Sequence, residues 1–301
     1  MKKWLMVIRA PFLPLSVVLA FLGACIAWYE SRQSGADFDF HLGYAFLAGF
    51  GILLAHISVD VLNEYFDFRS GIDLKTQRTP FSGGSGALPA GLITPRQALY
   101  LGIATLVVII PLGIFFTVDK GLALLPLLLV AAVLVVLYTP LILKMGWPEW
   151  APGAGMGSLP VLGAFFVHAG AFPLVAVIAA IPSGILVHNL LLLNEFPDVD
   201  ADKTASRRTL PIVIGKQKAS LVYSALTILV YLWIIGAVIA NVMPPLTLLG
   251  LLTFPWAVKA IRGSLNSHDM NKLVPAMASN VLVVLVTQLL IGIGYIIAGV
   301  L

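Results

Sequence analysis

The sequence predicts an all-α protein that crosses a membrane many times, as a bundle of about nine transmembrane helices around a central cavity. Composition is the first reason. Of 301 residues, 59% are hydrophobic and only 11% charged, with a mean hydropathy of +0.99. A soluble domain carries about a quarter charged residues. Segmentation is the second. Nine apolar runs, near 11–29, 42–62, 97–117, 121–142, 151–168, 173–193, 219–240, 246–260 and 276–299, approach the ~20 residues that span ~30 Å of hydrocarbon. None shows the alternation that a transmembrane barrel strand requires. Charge is the third. With the N-terminus inside, sixteen of the 18 Lys and Arg fall on cytoplasmic segments, leaving Arg32 and Lys120 on the other side, as the positive-inside rule requires. The net charge of +4 thus describes membrane orientation and anionic ligands, not nucleic-acid binding.

The first run follows a basic start and contains "LGAC", similar to a lipoprotein cleavage box. Arg9 and Pro11 interrupt that pattern, and the eight later runs make this segment a retained helix. Cys25 is the sole cysteine, which excludes a disulfide framework and a thiol metal site and leaves it a packing role. The second run ends in "NEYFDFRSGID" and the sixth in "NEFPDVDAD". The fourth is followed by "YTPLILKMGWPEW", whose tryptophans suit an interface. The fifth, "APGAGMGSLPVLGAFF", is rich in the small residues that let helices pack closely. The eighth is short, and "KAIRGSLNSHDMNK" connects it to the ninth. Short links make the helices antiparallel neighbours in one membrane-embedded domain, 1–301. Two cytoplasmic loops, at about 63–96 and 194–218, break that economy.

Each of those loops opens on Asn-Glu-aromatic-x-Asp, with Phe66 at x in the first and Pro197 in the second, and continues into Lys and Arg. On the second helix, His56, Asp60, Asn63 and Asp67 share one face. Polar groups there must look into a cavity or the protein interior. In the second copy Asn194 and Asp198 share a face, with Asp202 one turn on; Asp73 is its counterpart in the first. Opposed across the bundle mouth, Asp67, Asp73, Asp198 and Asp202 would repel unless a cation sat between them. Mg²⁺ fits, being hard, oxygen-seeking and commonly shared between one or two carboxylates and substrate phosphates. Lys75, Arg78, Lys203, Arg207 and Arg208 suit a highly anionic ligand, with Asn63 and Asn194 beside them. A prenyl diphosphate supplies both a charged head and a hydrocarbon tail for the apolar cavity. Helix capping and local ion pairing is the bland alternative, and it leaves the duplication unexplained.

At these residues the chain resembles the UbiA-type intramembrane prenyltransferase superfamily, over essentially its whole length, including the opening "IRAPFLPLSVVLAFLG". The resemblance implies Mg²⁺-dependent transfer of an isoprenoid chain from its diphosphate to an aromatic or other acceptor. It maps the first Asp-rich motif onto Asn63, Asp67 and Asp73 and the second onto Asn194, Asp198 and Asp202. The six-residue step from Asp67 to Asp73, with "SGGSGALPAGLIT" and "TLPIVIG", is similar to the 1,4-dihydroxy-2-naphthoate branch. That branch makes quinone precursors of the menaquinone type. The resemblance also gives Tyr138 and Lys144 a place near the diphosphate, beside catalytic Asp67 and Asp198.

Glu64, Glu195, Pro197 and "SRRTL" depart from the family pattern, so Arg207 or Arg208 supplies the expected cation, and the acceptor is open. Arg9 is either a second site cation or an interfacial anchor. His56 and His188 read as core histidines; Asp60, a turn deeper, either orients an acceptor or stays neutral in a hydrogen bond. Rival functions are a terpene cyclase or transferase to a non-aromatic acceptor, which share the diphosphate site, and a cation-coupled transporter. Transporter sites lie near the bilayer midplane, whereas these acids sit at helix ends on one side.

Overall fold

The computed structural model describes residues 2–76 and 78–301, and the described residues form helices and turns without strands. Among the described residues, the α-helices of ten residues or more are, in order, α1 Pro14–Glu30, α2 Leu42–Ser70, α3 Pro95–Lys120, α4 Leu124–Leu137, α5 Leu159–Ala169, α6 Leu174–Asn194, α7 Lys216–Ile239, α8 Phe254–Leu265 and α9 Met270–Val300. Among the described residues, seven helical stretches are long and apolar enough to cross a membrane. Of the two remaining predicted segments, α4 is apolar but short. The 246–260 run is split into a 3-10 stretch, Pro245–Thr253, followed by α8.

Local chemistry sets the boundaries. α3 begins at a capping box in which Thr94 and Gln97 satisfy each other's backbone N–H groups, with Pro95 in the first turn. α2 stops at Gly71, whose φ of 75° is the left-handed conformation that terminates helices. The helix therefore runs through Asn63 and Asp67 of the first acidic motif, Asp73 follows in a 3-10 turn, Ile72–Leu74, and the loop begins at Gly71 rather than at Asn63. No residue between Asn63 and Ser70 breaks a helix, so the polar character of the stretch changes its partners and not its backbone.

α1 packs against α2, α5 and α9, while α2 packs on α3, and α6 on α7 and α9. The main core gathers Leu19, Leu22, Ile26, Phe165, Val230 and Ile291 from four of these helices. α3 and α4 lie outermost. Ile110, Ile114, Val118, Leu125 and Leu129 are exposed there, as befits a face that meets lipid tails. Before α5, a π-helical turn at Ala154–Ser158 lies so close to α6 that a Cβ on Gly157 would sit 2.7 Å from the Cα of Gly184. The small-residue run of the fifth segment is a helix–helix contact, as its composition implied.

Candidate active site

The two acidic motifs meet at one end of the bundle, above a cavity of about 130 Å³. Its walls come from both halves of the chain: His56, Asp60 and Asn63 of α2, Leu134 and Val135 of α4, Asn194 of α6, Val284 of α9. Asn63 and Asn194, the first residues of the two motifs, face the same space. Tyr138, just past α4, closes another side, and the neighbouring Thr139 hydroxyl donates to Asn63 Oδ1.

Above the asparagines lie the carboxylates. Arg207 joins the motifs directly: its Nη2 contacts Asp67 Oδ1 across 140 residues of sequence, and its Nη1 donates to Asp202 Oδ1 at 2.9 Å. Burial disfavours the Arg207 cation, but Asp67 and Asp202 outweigh it and raise the group. Asp73 Oδ2, Asp198 Oδ1 and Asn194 Oδ1 are buried without hydrogen-bond partners. Among the described residues, no three His, Cys, Asp or Glu side chains converge closely enough to enclose an ion alone. Orphaned oxygen acceptors around a guanidinium, with no closed cage, suit Mg²⁺, which keeps coordination positions for substrate phosphates. Asp67, Asp73, Asp198 and Asp202 are the residues that could hold it.

Their protonation follows from crowding. Burial first, then the Asp67 and Glu64 charges, push Asp73 up to about 7. Burial and Asp202 push Asp198 up to about 7. Burial takes Asp202 to about 6 in spite of Arg207. In an unfolded chain these groups titrate near 4. The metal-free fold thus binds extra protons between about pH 4 and 7, and its stability falls as pH rises through that window. A metal must displace those protons. Calorimetric titration with Mg²⁺ and inorganic diphosphate is expected to show proton release and an apparent affinity weaker at about pH 6 than at about pH 8.

The other predicted cations divide. Arg78 folds onto its own loop, its Nε donating to Gly83 O at 3.3 Å and its Nη2 to Asp73 O at 3.5 Å. Lys75, Lys144 and Arg208 are exposed, as is Lys203, which pairs with Asp200 at 3.8 Å. Lys144 is nonetheless tethered to the second motif. Arg208 N donates to Leu143 O at 2.8 Å, and Trp147 N to Arg208 O at 3.2 Å.

Sequence reasoning missed the glutamates that follow each asparagine. Glu64 is fully buried. It accepts from Arg9 Nε at 2.8 Å, from Ser85 N at 2.7 Å and from Ser85 Oγ at 2.6 Å. It thereby ties the N-terminal segment and the Gly-rich loop to α2. Gly84 makes this possible: its φ is +73°, and a Cβ would lie 3.0 Å from Asp73 Oδ1. Glu64→Ala strands Arg9 and Ser85 and is expected to cost roughly 3–5 kcal/mol, read as a lower thermal midpoint in detergent. Glu195 faces Glu149; burial, then that neighbouring carboxylate, raise it well above the usual range. Glu149 Oε1 accepts the Leu210 N–H at 2.6 Å, fixing the second loop. An acid far away in sequence carried no signal for either contact. His188 is explained too. Trp147 Nε1 can only donate, so His188 Nε2 accepts at 2.8 Å, and Nδ1 faces Asn189 Oδ1 at 3.2 Å. It is a satisfied core histidine.

The profile of the UbiA prenyltransferase family matches residues 16–284. This chain belongs to the UbiA prenyltransferase family. Among its relatives, the 1,4-dihydroxy-2-naphthoate octaprenyltransferase of Bacillus subtilis is 29% identical over 90% of this chain and 85% of its own. The protein of the same description from Haemophilus influenzae is 24% identical over 99% and 96%. The fold is shared with a UbiA homolog from Aeropyrum pernix, at 18% identity and TM-score 0.71 over 95% of this chain and 97% of that one. It is also shared with a UbiA homolog from Archaeoglobus fulgidus bound to GPP and Mg²⁺, at 15% identity and TM-score 0.63 over 98% and 99%. As a UbiA prenyltransferase, the chain is an enzyme, and its long apolar helices are those of an integral, multi-pass membrane protein.

Proposed function

We propose that this UbiA prenyltransferase moves an isoprenoid chain from a prenyl diphosphate to 1,4-dihydroxy-2-naphthoate or a similar aromatic quinone precursor, with Mg²⁺ and with its acidic loops on the cytoplasmic side. The observation that carries the reading is the meeting of the two motifs, bridged by Arg207 over a mostly apolar cavity. The names of the bacterial relatives support the acceptor, and the GPP and Mg²⁺ in the Archaeoglobus neighbour support the donor and metal. The bias of basic residues supports the orientation.

Asp67, Asp73, Asp198 and Asp202 would hold Mg²⁺, which when bound neutralises charge on a departing diphosphate. Arg207, freed from two carboxylates that then have another counter-ion, is placed to take up diphosphate oxygens, with Lys75, Arg78, Lys144, Lys203 and Arg208 around the rim. Asn63 and Asn194 orient the head at the cavity mouth. The apolar walls below keep water from the allylic cation formed at C1 of the prenyl group. Tyr138, at the same mouth, offers its ring face to that cation. An electron-rich ring carbon of the acceptor forms the new bond to C1, and the ring then sheds a proton or, from a carboxylated carbon, CO₂.

The test is a panel of acceptors. Protein in detergent receives Mg²⁺ and geranylgeranyl diphosphate with 1,4-dihydroxy-2-naphthoate, 4-hydroxybenzoate or no acceptor, and products are read by mass spectrometry. A prenylated, decarboxylated naphthoate is expected. A free cyclic terpene without acceptor would move the chain to the cyclase reading.

A further inference from the structure

We propose that His56 and Asp60 form the acceptor's hydroxyl subsite and that His56 takes the hydroxyl proton during transfer; this rests on the aromatic, hydroxylated acceptor proposed above. The two side chains stand one helical turn apart on α2, with Asp60 about one turn and His56 about two turns below Asn63. Both line the cavity and are buried, at 5% and 8% exposure. His56 Nε2 lies 3.6 Å from Asp60 Oδ2. Neither His56 Nδ1 nor Asp60 Oδ2 has a hydrogen-bond partner. The nearby cation is already engaged, since Arg9 Nε and Nη2 both approach Glu64.

An imidazole and a carboxylate left short of partners are costly beside walls such as Phe12, Leu15, Met156 and Val187. A ligand that fills this space and carries a hydrogen-bond donor removes that cost. The donor substrate does not qualify. Its diphosphate would add negative charge beside Asp60, and its hydrocarbon tail can satisfy neither group. A phenolic hydroxyl fits both: it donates to a neutral imidazole, and the carboxylate stabilises the imidazolium that results.

As the C1–oxygen bond of the prenyl diphosphate breaks, its electron pair leaves with the diphosphate. The hydroxyl proton passes to the imidazole, and the ring carbon bonds to C1, leaving a ring ketone. When that carbon loses its proton to the departed diphosphate, or its carboxylate as CO₂, the freed electron pair restores the aromatic ring. The oxygen then recovers its proton from the imidazolium. Asp60 stays beside His56 throughout and is outside the proton's path.

The experiment uses the full chain in detergent with Mg²⁺ and geranylgeranyl diphosphate. His56→Gln and Asp60→Asn are compared with wild type for transfer to 1,4-dihydroxy-2-naphthoate and to each of its two mono-methyl ethers. Prenyl diphosphate binding is measured in the same preparations. Both variants are expected to lose about 10²-fold or more in transfer while binding the diphosphate as wild type does. One methyl ether is expected to be poor for wild type and to suffer no added loss in His56→Gln, because the same contact is already missing. Should Asp60→Asn fail to fold, His56→Gln carries the comparison. Undiminished transfer by His56→Gln overturns the subsite, as does loss of diphosphate binding in step with transfer. If wild type binds the diphosphate but prenylates no hydroxylated aromatic, the proposed function falls and takes the subsite with it. Normal wild-type transfer with equally active variants removes the subsite alone.

Discussion

Asp67→Asn and Asp198→Asn are each expected to reduce turnover by about 10²–10³-fold or more with the fold intact. Asparagine keeps the shape of aspartate and removes the charge, so the change falls on metal and diphosphate rather than on packing. The two sites should differ in stability. Asp67 is held by Arg207, so its neutralisation weakens the bridge between the motifs. Asp198 has an unpartnered Oδ1 and sits near Asp202, whose charge helps to raise it. Neutralising Asp198 relieves that repulsion, and the metal-free protein should be no less stable than wild type. Turnover and thermal midpoint measured on one preparation separate the effects. Activity that survives both substitutions would sink the site assignment.

Arg207→Gln is the second large effect, on stability without metal and on turnover with it. In the metal-free protein Arg207 is the counter-ion shared by Asp67 and Asp202. Its side chain is mostly buried, and removing one partner of such a cluster typically costs about 3–5 kcal/mol. The variant should therefore melt well below wild type in EDTA. Mg²⁺ with inorganic diphosphate supplies the missing positive charge and should recover much of the difference, stabilising the variant more than wild type. Turnover should still fall by about 10²–10³-fold, because a preorganised cation aimed at the leaving group is gone. A variant with normal turnover, or one that Mg²⁺ and diphosphate stabilise no more than wild type, contradicts the role given to Arg207.

The bundle was legible because lipid imposes a simple rule on sequence: long apolar runs, small residues where helices touch, basic residues on one side. The extent of α2 was not. Asn63 to Ser70 is polar enough to read as a loop, yet it holds no breaker before Gly71, and a helix that leaves the membrane needs no change of backbone. The acidic residues were legible as a pattern because they are repeated. Their arrangement depended on contacts the pattern could not carry. Arg207 and Arg208 are adjacent and chemically alike, but the turn after Asp202 sends one to Asp67 and leaves the other exposed. Glu64 looked like a substitution within a metal motif and is instead the buried anchor of a glycine-rich loop. Glu149 sits in a stretch read for its tryptophans. Its partner in the second loop is more than fifty residues away, and only the folded chain brings the two together.

The most direct test of the central claim follows release of labelled diphosphate together with prenylated naphthoate, in one reaction, with Mg²⁺ and then with excess EDTA. If the paired motifs form a metal–diphosphate site, both products appear in equal amounts with Mg²⁺ and neither appears with EDTA, in wild type and not in Asp67→Asn or Asp198→Asn. Equal product formation in EDTA, or no consumption of prenyl diphosphate by protein shown to be folded, would contradict it.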